Sequence, residues 1–185
     1  MTKQEINYIK SSDVNIDDAT PVMKQYLEIK REHQDVILLY RLGDFYETFF
    51  EDALTMSKVL EITLTGKDCG QVIGRVPLAG IPAKAIDGYL EKLINNNYKV
   101  AICEQLEDPK SATGLVKRGV TRIVTTGTLT EGELLQKDKN NYICSMVEDK
   151  KSGLYGFCYA DISTGEFKLT QASFDLIRGE LARIN

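Results

Sequence analysis

The sequence predicts an α/β fold: a mixed-sheet domain with flanking helices, followed by the opening part of a second domain. Three observations carry that expectation. Helical apolar stripes alternate with short apolar runs in the order α, β, β, α, β, α, β, β up to about residue 125. A different pattern then begins, with three short runs separated by turn residues and one closing helix. The 185 residues are 43% hydrophobic and 27% charged, the balance of a folded chain long enough for one domain and part of another.

Residues 1–19 are polar and without a sustained period, and read as a flexible arm. Thr20-Pro21 starts a helix, with Pro at the first helical position, where its missing N–H is not needed. Val22, Met23, Tyr26, Leu27 and Ile29 supply its apolar stripe as far as His33. Residues 38–50 are two apolar runs flanking Gly43-Asp44, which predicts two strands joined by a tight turn with Gly at a positive φ. Side chains alternate along a strand, so Phe45 and Glu47 point the same way. A carboxylate there argues that this face is not core, leaving Phe45 exposed to a partner.

Glu51-Asp52 open a second helix, acidic where the helix dipole favours it, with Met56, Val59 and Leu60 inward. Residues 62–65 read as a strand and residues 66–76 as a loop holding three glycines, Lys67 and Arg75. Residues 77–82 lead into a third helix, where Ile86, Tyr89, Leu90, Leu93 and Ile94 share one face. Residues 100–103 form an interior strand, Asp108-Pro109 turn the chain, and residues 120–125 form a last strand carrying Arg122. Residues 126–138 are a linker with a short acidic helical piece. Residues 139–185 open the second domain, with strands over 142–147, 154–161 and 166–169, a turn at 163–165 and a helix capped by Ser173. One helix over a three-stranded meander gives a small core, so the natural chain is expected to continue.

Several functions are disfavoured. Four scattered cysteines and the single His33 give no zinc spacing and no disulfide framework, and read as buried free thiols in a reducing cytoplasm. No apolar run approaches the roughly 18–20 residues of a membrane span. Gly114 and Gly119 have the glycine spacing of a phosphate loop, but Val120 stands where Lys is needed. A metal nuclease on the second domain would have only Asp161 and Glu166 to work with, too few carboxylates. The net charge of −4 argues against general nucleic-acid binding by phosphate contacts alone. Residues 66–125 nevertheless carry 9 basic and 6 acidic side chains, against 7 and 12 in residues 1–65. Beside that modest basic surface, Phe45 reads either as strand core or as a wedge between base steps. A wedge favours mispaired DNA because less stacking is lost there.

The runs at 20–26 (Thr-Pro-Val-Met-Lys-Gln-Tyr), 43–47 (Gly-Asp-Phe-Tyr-Glu), 79–82 (Ala-Gly-Ile-Pro), 101–105 (Ala-Ile-Cys-Glu-Gln) and 122–125 (Arg-Ile-Val-Thr) resemble the amino-terminal part of the bacterial MutS family. The resemblance runs from residue 20 to at least residue 167. It implies a mismatch-recognition domain over 20–125 and the start of a ribonuclease-H-like connector domain over 139–185, without catalysis in this piece. Phe45 would stack on a mispaired base and Glu47 would hydrogen-bond it. Leu42 and Asp44 would flank the wedge, and Lys67 would lie over the groove. Lys84 stands, after Ala83, where many members have Tyr-His, and would meet a phosphate; Thr126 replaces the family's usual Pro. For the full-length protein the resemblance implies ATP and Mg, a homodimer, a MutL-type repair partner, mismatched double-stranded DNA as ligand and a cytoplasmic location. A paralogue binding branched or undamaged DNA is the alternative within the family.

Overall fold

The computed structural model describes residues 5–109, 112, 114–128, 142–161 and 164–184. Its contacts divide into two units, Met1–Thr125 and Thr126–Asn185. In the first, the elements are α1 (Pro21–Glu32), β1 (Ile37–Leu42), β2 (Phe45–Phe49), α2 (Phe50–Leu60), β3 (Thr65–Asp68), β4 (Arg75–Pro82), α3 (Ile86–Asn95), β5 (Val100–Gln105) and β6 (Arg118–Val124). The six strands form one sheet in the order β3-β4-β2-β1-β5-β6. Only β1 and β5 run parallel; the remaining neighbours are antiparallel, so the sheet is mixed.

The helix α1 forms where Pro21 occupies the first helical turn, and the Thr20 carbonyl accepts the Lys24 N–H at 2.7 Å. Its inward side chains, Met23, Tyr26, Leu27 and Lys30, keep the three-and-four spacing of one helical face. That face covers Leu38, Tyr40, Phe49, Val76, Ala101 and Cys103. Tyr26 packs edge-on to Tyr40 and Phe49, with centroids 5.5 and 4.8 Å away. The alternate strand residues, among them Leu39, Ala79, Ile81 and Ile102, are buried on the opposite face. The helices α2 and α3, which touch each other and β4, are left to cover it.

Between β2 and α2 the chain leaves the sheet at Phe50, a non-glycine residue with φ of 55°. Full burial of its ring against Tyr26 holds it there. With β2 gone, β1 has a free N–H at Leu38, and Asp52 in the first turn of α2 accepts it at 3.1 Å. Lys30 reaches the same carboxylate at 2.8–2.9 Å and also donates to the Val36 carbonyl at 2.6 Å. A buried ion pair therefore joins both helices to the strand, with every charge hydrogen-bonded.

Several expectations are corrected. Residues 77–82 do lead into α3, but as an unexpected part of the interior strand β4, paired on both sides. Pro77 fits because pairing to β2 ends at Leu78, and Pro82 is the last residue of the strand. Residues 66–76 are not one loop, since Gly66–Asp68 pair with Arg75–Pro77 in a hairpin, and the expected strand at 62–65 begins only at Thr65. Residues 5–19, read as a loose arm, also lie against the domain. Val14 is in the core, the Ser11 N–H donates to Glu51 at 2.9 Å, and Asn7 donates to the Arg75 carbonyl at 2.6 Å. Polar residues that bond to backbone and to a helix terminus need no apolar period to be held.

The second unit is an antiparallel meander of β7 (Tyr142–Asp149), β8 (Leu154–Asp161) and β9 (Glu166–Ala172), followed by α4 (Phe174–Arg183). Phe157, Tyr159 and Ile177 form its core, and Arg183 donates to the Tyr159 hydroxyl at 2.8 Å. On the other face of the meander Ile143, Val147, Leu154, Phe167 and Leu169 are exposed. Most of the expected linker with its acidic helical piece, and Ser163 of the expected turn, lie outside the described residues. Among the described residues no helix is long and apolar enough to cross a membrane.

Candidate nucleic-acid interface

Leu42 and Phe45 are cross-strand partners, so β1 and β2 are joined by the two residues Gly43 and Asp44 alone. Gly43 has φ of 58°, the left-handed conformation that a two-residue hairpin with Gly first requires. The tip is also tied to β4, because the Asp44 carbonyl accepts the Ala83 N–H at 2.8 Å.

Register then sets out the surface. Phe45 lies opposite both Leu42 and Pro82; Glu47 lies opposite Tyr40 and Gly80. A methyl placed on Gly80 would stand 3.5 Å from Glu47 Cγ and 3.9 Å from Phe45 Cδ1, so the ring and the carboxylate do share one face. Because Gly80 has no side chain, a notch stays open between them. That face is core for most of its length, which corrects the reading of it as wholly non-core. Only its tip end emerges from beneath α1: Tyr40 and Phe49 are buried, Leu42 is half-buried, and Phe45 is 46% exposed.

Lys67 stands on the edge strand β3, with Nζ 4.0 Å from Glu47 Oε2. That oxygen is shielded from solvent and accepts no hydrogen bond, although the Glu47 side chain as a whole is 22% exposed. At this separation and exposure the pair adds little stability, about 0–1 kcal/mol. The Glu47 carboxylate thus lies beside an exposed ring, with Oε2 turned inward on the Lys67 side and the side chain as a whole partly exposed. Asp44 is exposed at the tip, and Lys84 is exposed on the single turn Ala83–Ala85 after β4. The six residues read from the sequence thus lie on the tip, the adjoining strands and the turn bonded to it.

The sequence did not single out the groups that support the tip. Arg118 of β6 donates to the Arg41 carbonyl at 2.7 Å and to Gln25 of α1 at 3.1 Å, and its guanidinium lies 5.1 Å from the centre of the Tyr40 ring. Burial pushes the Tyr40 phenol up to about 12, so it remains a donor, to Gln25. On the other face Tyr46 donates to Glu104, its phenol raised first by burial and then by that bond.

Asp161 and Glu166 are cross-strand partners in the second unit. Glu166 is engaged by Lys168 at 2.9 Å and by the Tyr142 hydroxyl at 3.0 Å, which hold its carboxyl below the usual range. No group of three potential ligands for a metal forms among the described residues. The cysteines divide, against the reading of all four as buried: Cys69 and Cys103 are buried, Cys158 is half-buried and Cys144 is exposed. Burial raises the thiols of Cys69 to about 11 and Cys103 to about 12. Alkylation of the folded chain at pH 8, followed by mass spectrometry, is expected to leave both unmodified while Cys144 reacts. Rapid labelling of Cys103 before denaturation would contradict the packing described.

Comparison with known proteins places these features in a family. The family model for MutS domain I matches residues 20–133, and that for MutS domain II matches residues 141–185. The DNA mismatch repair protein MutS of Acetivibrio thermocellus is 55% identical over 155 residues, covering 84% of this chain and 18% of its own length. That of Syntrophomonas wolfei is 54% identical over 166 residues (90% and 18%), and that of Clostridioides difficile is 49% identical over 172 (93% and 18%). The chain spans about a fifth of the length of these relatives. With more than half of its residues matched by the first family model alone, the chain belongs to the MutS family.

Proposed function

We propose that the first unit recognises mispaired and small looped-out bases in duplex DNA, as the first step of mismatch repair. Phe45 inserts as a wedge, and Glu47 accepts a hydrogen bond from the displaced base. The observation that carries this reading is the exposed Phe45 ring on a two-residue tip, with the partly exposed Glu47 carboxylate on the same face. An apolar ring pushed between base steps costs unstacking, about a few kcal/mol, and less where pairing is already faulty. Discrimination thus comes from how easily the duplex deforms, with no sequence read directly. Asp44 and Leu42 flank the ring, Lys67 lies over the groove, and Lys84 meets a phosphate.

On the same reading the full-length protein is a homodimeric ATPase that uses Mg, engages a MutL-type partner and works in the cytoplasm. The nucleotide site falls to parts of the relatives that this chain does not span. Within the chain, Val120 of β6 stands where a phosphate loop needs Lys, so these residues do not fit that role.

Glu47→Gln tests the electrostatic part. It removes a negative charge close to phosphates and retains a hydrogen-bonding group, so binding to a mismatched duplex should be kept or tightened a few-fold. The measurement is affinity for matched and mismatched duplexes at stated salt. A loss of affinity beyond about tenfold for both duplexes would show that the charge itself is required, against this reading.

A further inference from the structure

The turn that presents Phe45 is held from behind by a chain of contacts with no part in the surface described above. Arg41 and Tyr46 are direct cross-strand partners, and alternation puts them on the face opposite Phe45. Arg41 Nε donates to the Gly43 carbonyl at 2.6 Å, and its guanidinium carbon lies 5.1 Å from the centre of the Tyr46 ring. Tyr46 then donates to Glu104, a residue of β5. The other turn carbonyl, of Asp44, is taken by the Ala83 N–H. Both peptide groups of an exposed, glycine-containing turn are thus fixed, one through a side chain and one through the backbone. No atom lies within 4 Å of where a Cβ on Gly43 would sit, so packing does not steady the turn.

We propose that Arg41 is a positioning residue for the wedge: it locks the Gly43–Asp44 turn so that Phe45 meets DNA already ordered, and acts through Phe45 without touching the duplex. The proposal rests on the wedge reading above. A guanidinium near a DNA-facing tip is otherwise a natural phosphate contact, but this one lies on the reverse face, stacked on Tyr46 and bonded to its own turn.

The test uses the full-length protein with Arg41→Met, Phe45→Ala and both together, titrated with a singly mismatched and a matched duplex at several salt concentrations. Arg41→Met should lower the preference for the mismatch about tenfold, the scale of ordering one or two backbone residues on binding. Matched-duplex affinity and its salt slope should not change. In the Phe45→Ala background, Arg41→Met should lower the preference no further. Should Arg41→Met fail to fold, as read by its melting, Tyr46→Phe breaks the same chain at Glu104 with almost no volume change and should lower the preference in the same direction. Full preference in the folded Arg41→Met protein, or in Tyr46→Phe if it replaces it, overturns the proposal and leaves the wedge standing. Weaker matched binding with a salt slope smaller by about one would make Arg41 a phosphate contact, and overturns it equally. Preference surviving in Phe45→Ala itself overturns the wedge reading, and this proposal with it.

Discussion

Phe45→Ala in the full-length protein is expected to abolish the preference for a mismatched over a matched duplex. Stacking of a base on an aromatic ring is worth about 1–3 kcal/mol, so roughly 5- to 150-fold in affinity for the mismatch should disappear. Matched-duplex affinity should change far less, because phosphate contacts supply most of it and the ring makes none. The variant should fold normally, since Phe45 is 46% exposed and stands outside the core cluster beneath α1. That separates the result from a general loss of structure, which near-ultraviolet and thermal measurements on the same sample would expose. Parallel titrations with the two duplexes at one salt concentration decide the matter, and an intact preference would sink the wedge.

The second large effect is on stability. Lys30→Met should destabilise the chain by about 3–5 kcal/mol in urea unfolding, because it leaves Asp52 charged and buried without its partner. The Lys30 and Asp52 side chains are only 5% and 8% exposed, so solvent screens the pair very little. Burial already holds the Asp52 carboxyl above its ordinary value, with the Lys30 charge and hydrogen bond pulling it down. Removing Lys30 should raise it further. A carboxyl with a folded-state pKa above its unfolded value binds more protons when folded, so stability falls as pH rises between the two values. The deficit of Lys30→Met should therefore be largest near pH 7 and shrink as the pH falls toward the carboxylate range. Lys30→Met with Asp52→Leu should recover much of the loss, apart from the bond to Leu38. A single variant as stable as the parent at pH 7 would contradict the account of this pair.

Much of the first unit was legible because its elements carry their own local signals. Pro21, the spacing of Met23, Tyr26 and Leu27, and the alternation around Gly43 each act within a few residues. The strand β4 was not legible: Pro77, Gly80 and Pro82 are poor strand formers, and only pairing to β2 and β3 makes the segment extended. Tertiary context overrode propensity there. At the tip, the shared face of Phe45 and Glu47 followed from the period of two, whereas Lys67 reaches Glu47 only because β4 lies between their strands. Neither the Tyr46–Glu104 bond nor the reach of Arg118 to Arg41 could be read, since 58 and 77 residues separate the partners and no local pattern announces them.

The parallel pairing of β1 with β5 has a bearing on how the tip comes into being. Tyr40 is registered against Cys103, so the platform behind the hairpin requires closure of a loop of about sixty residues, slower than the local hairpin itself. The five-residue motif at the tip is therefore not portable. Moved to a peptide, or to a hairpin on another scaffold, it would keep its letters and lose the strand that anchors Tyr46 and the helix that buries Tyr40. The geometry of this tip is a property of the assembled sheet, and transplanting it means transplanting β5 as well.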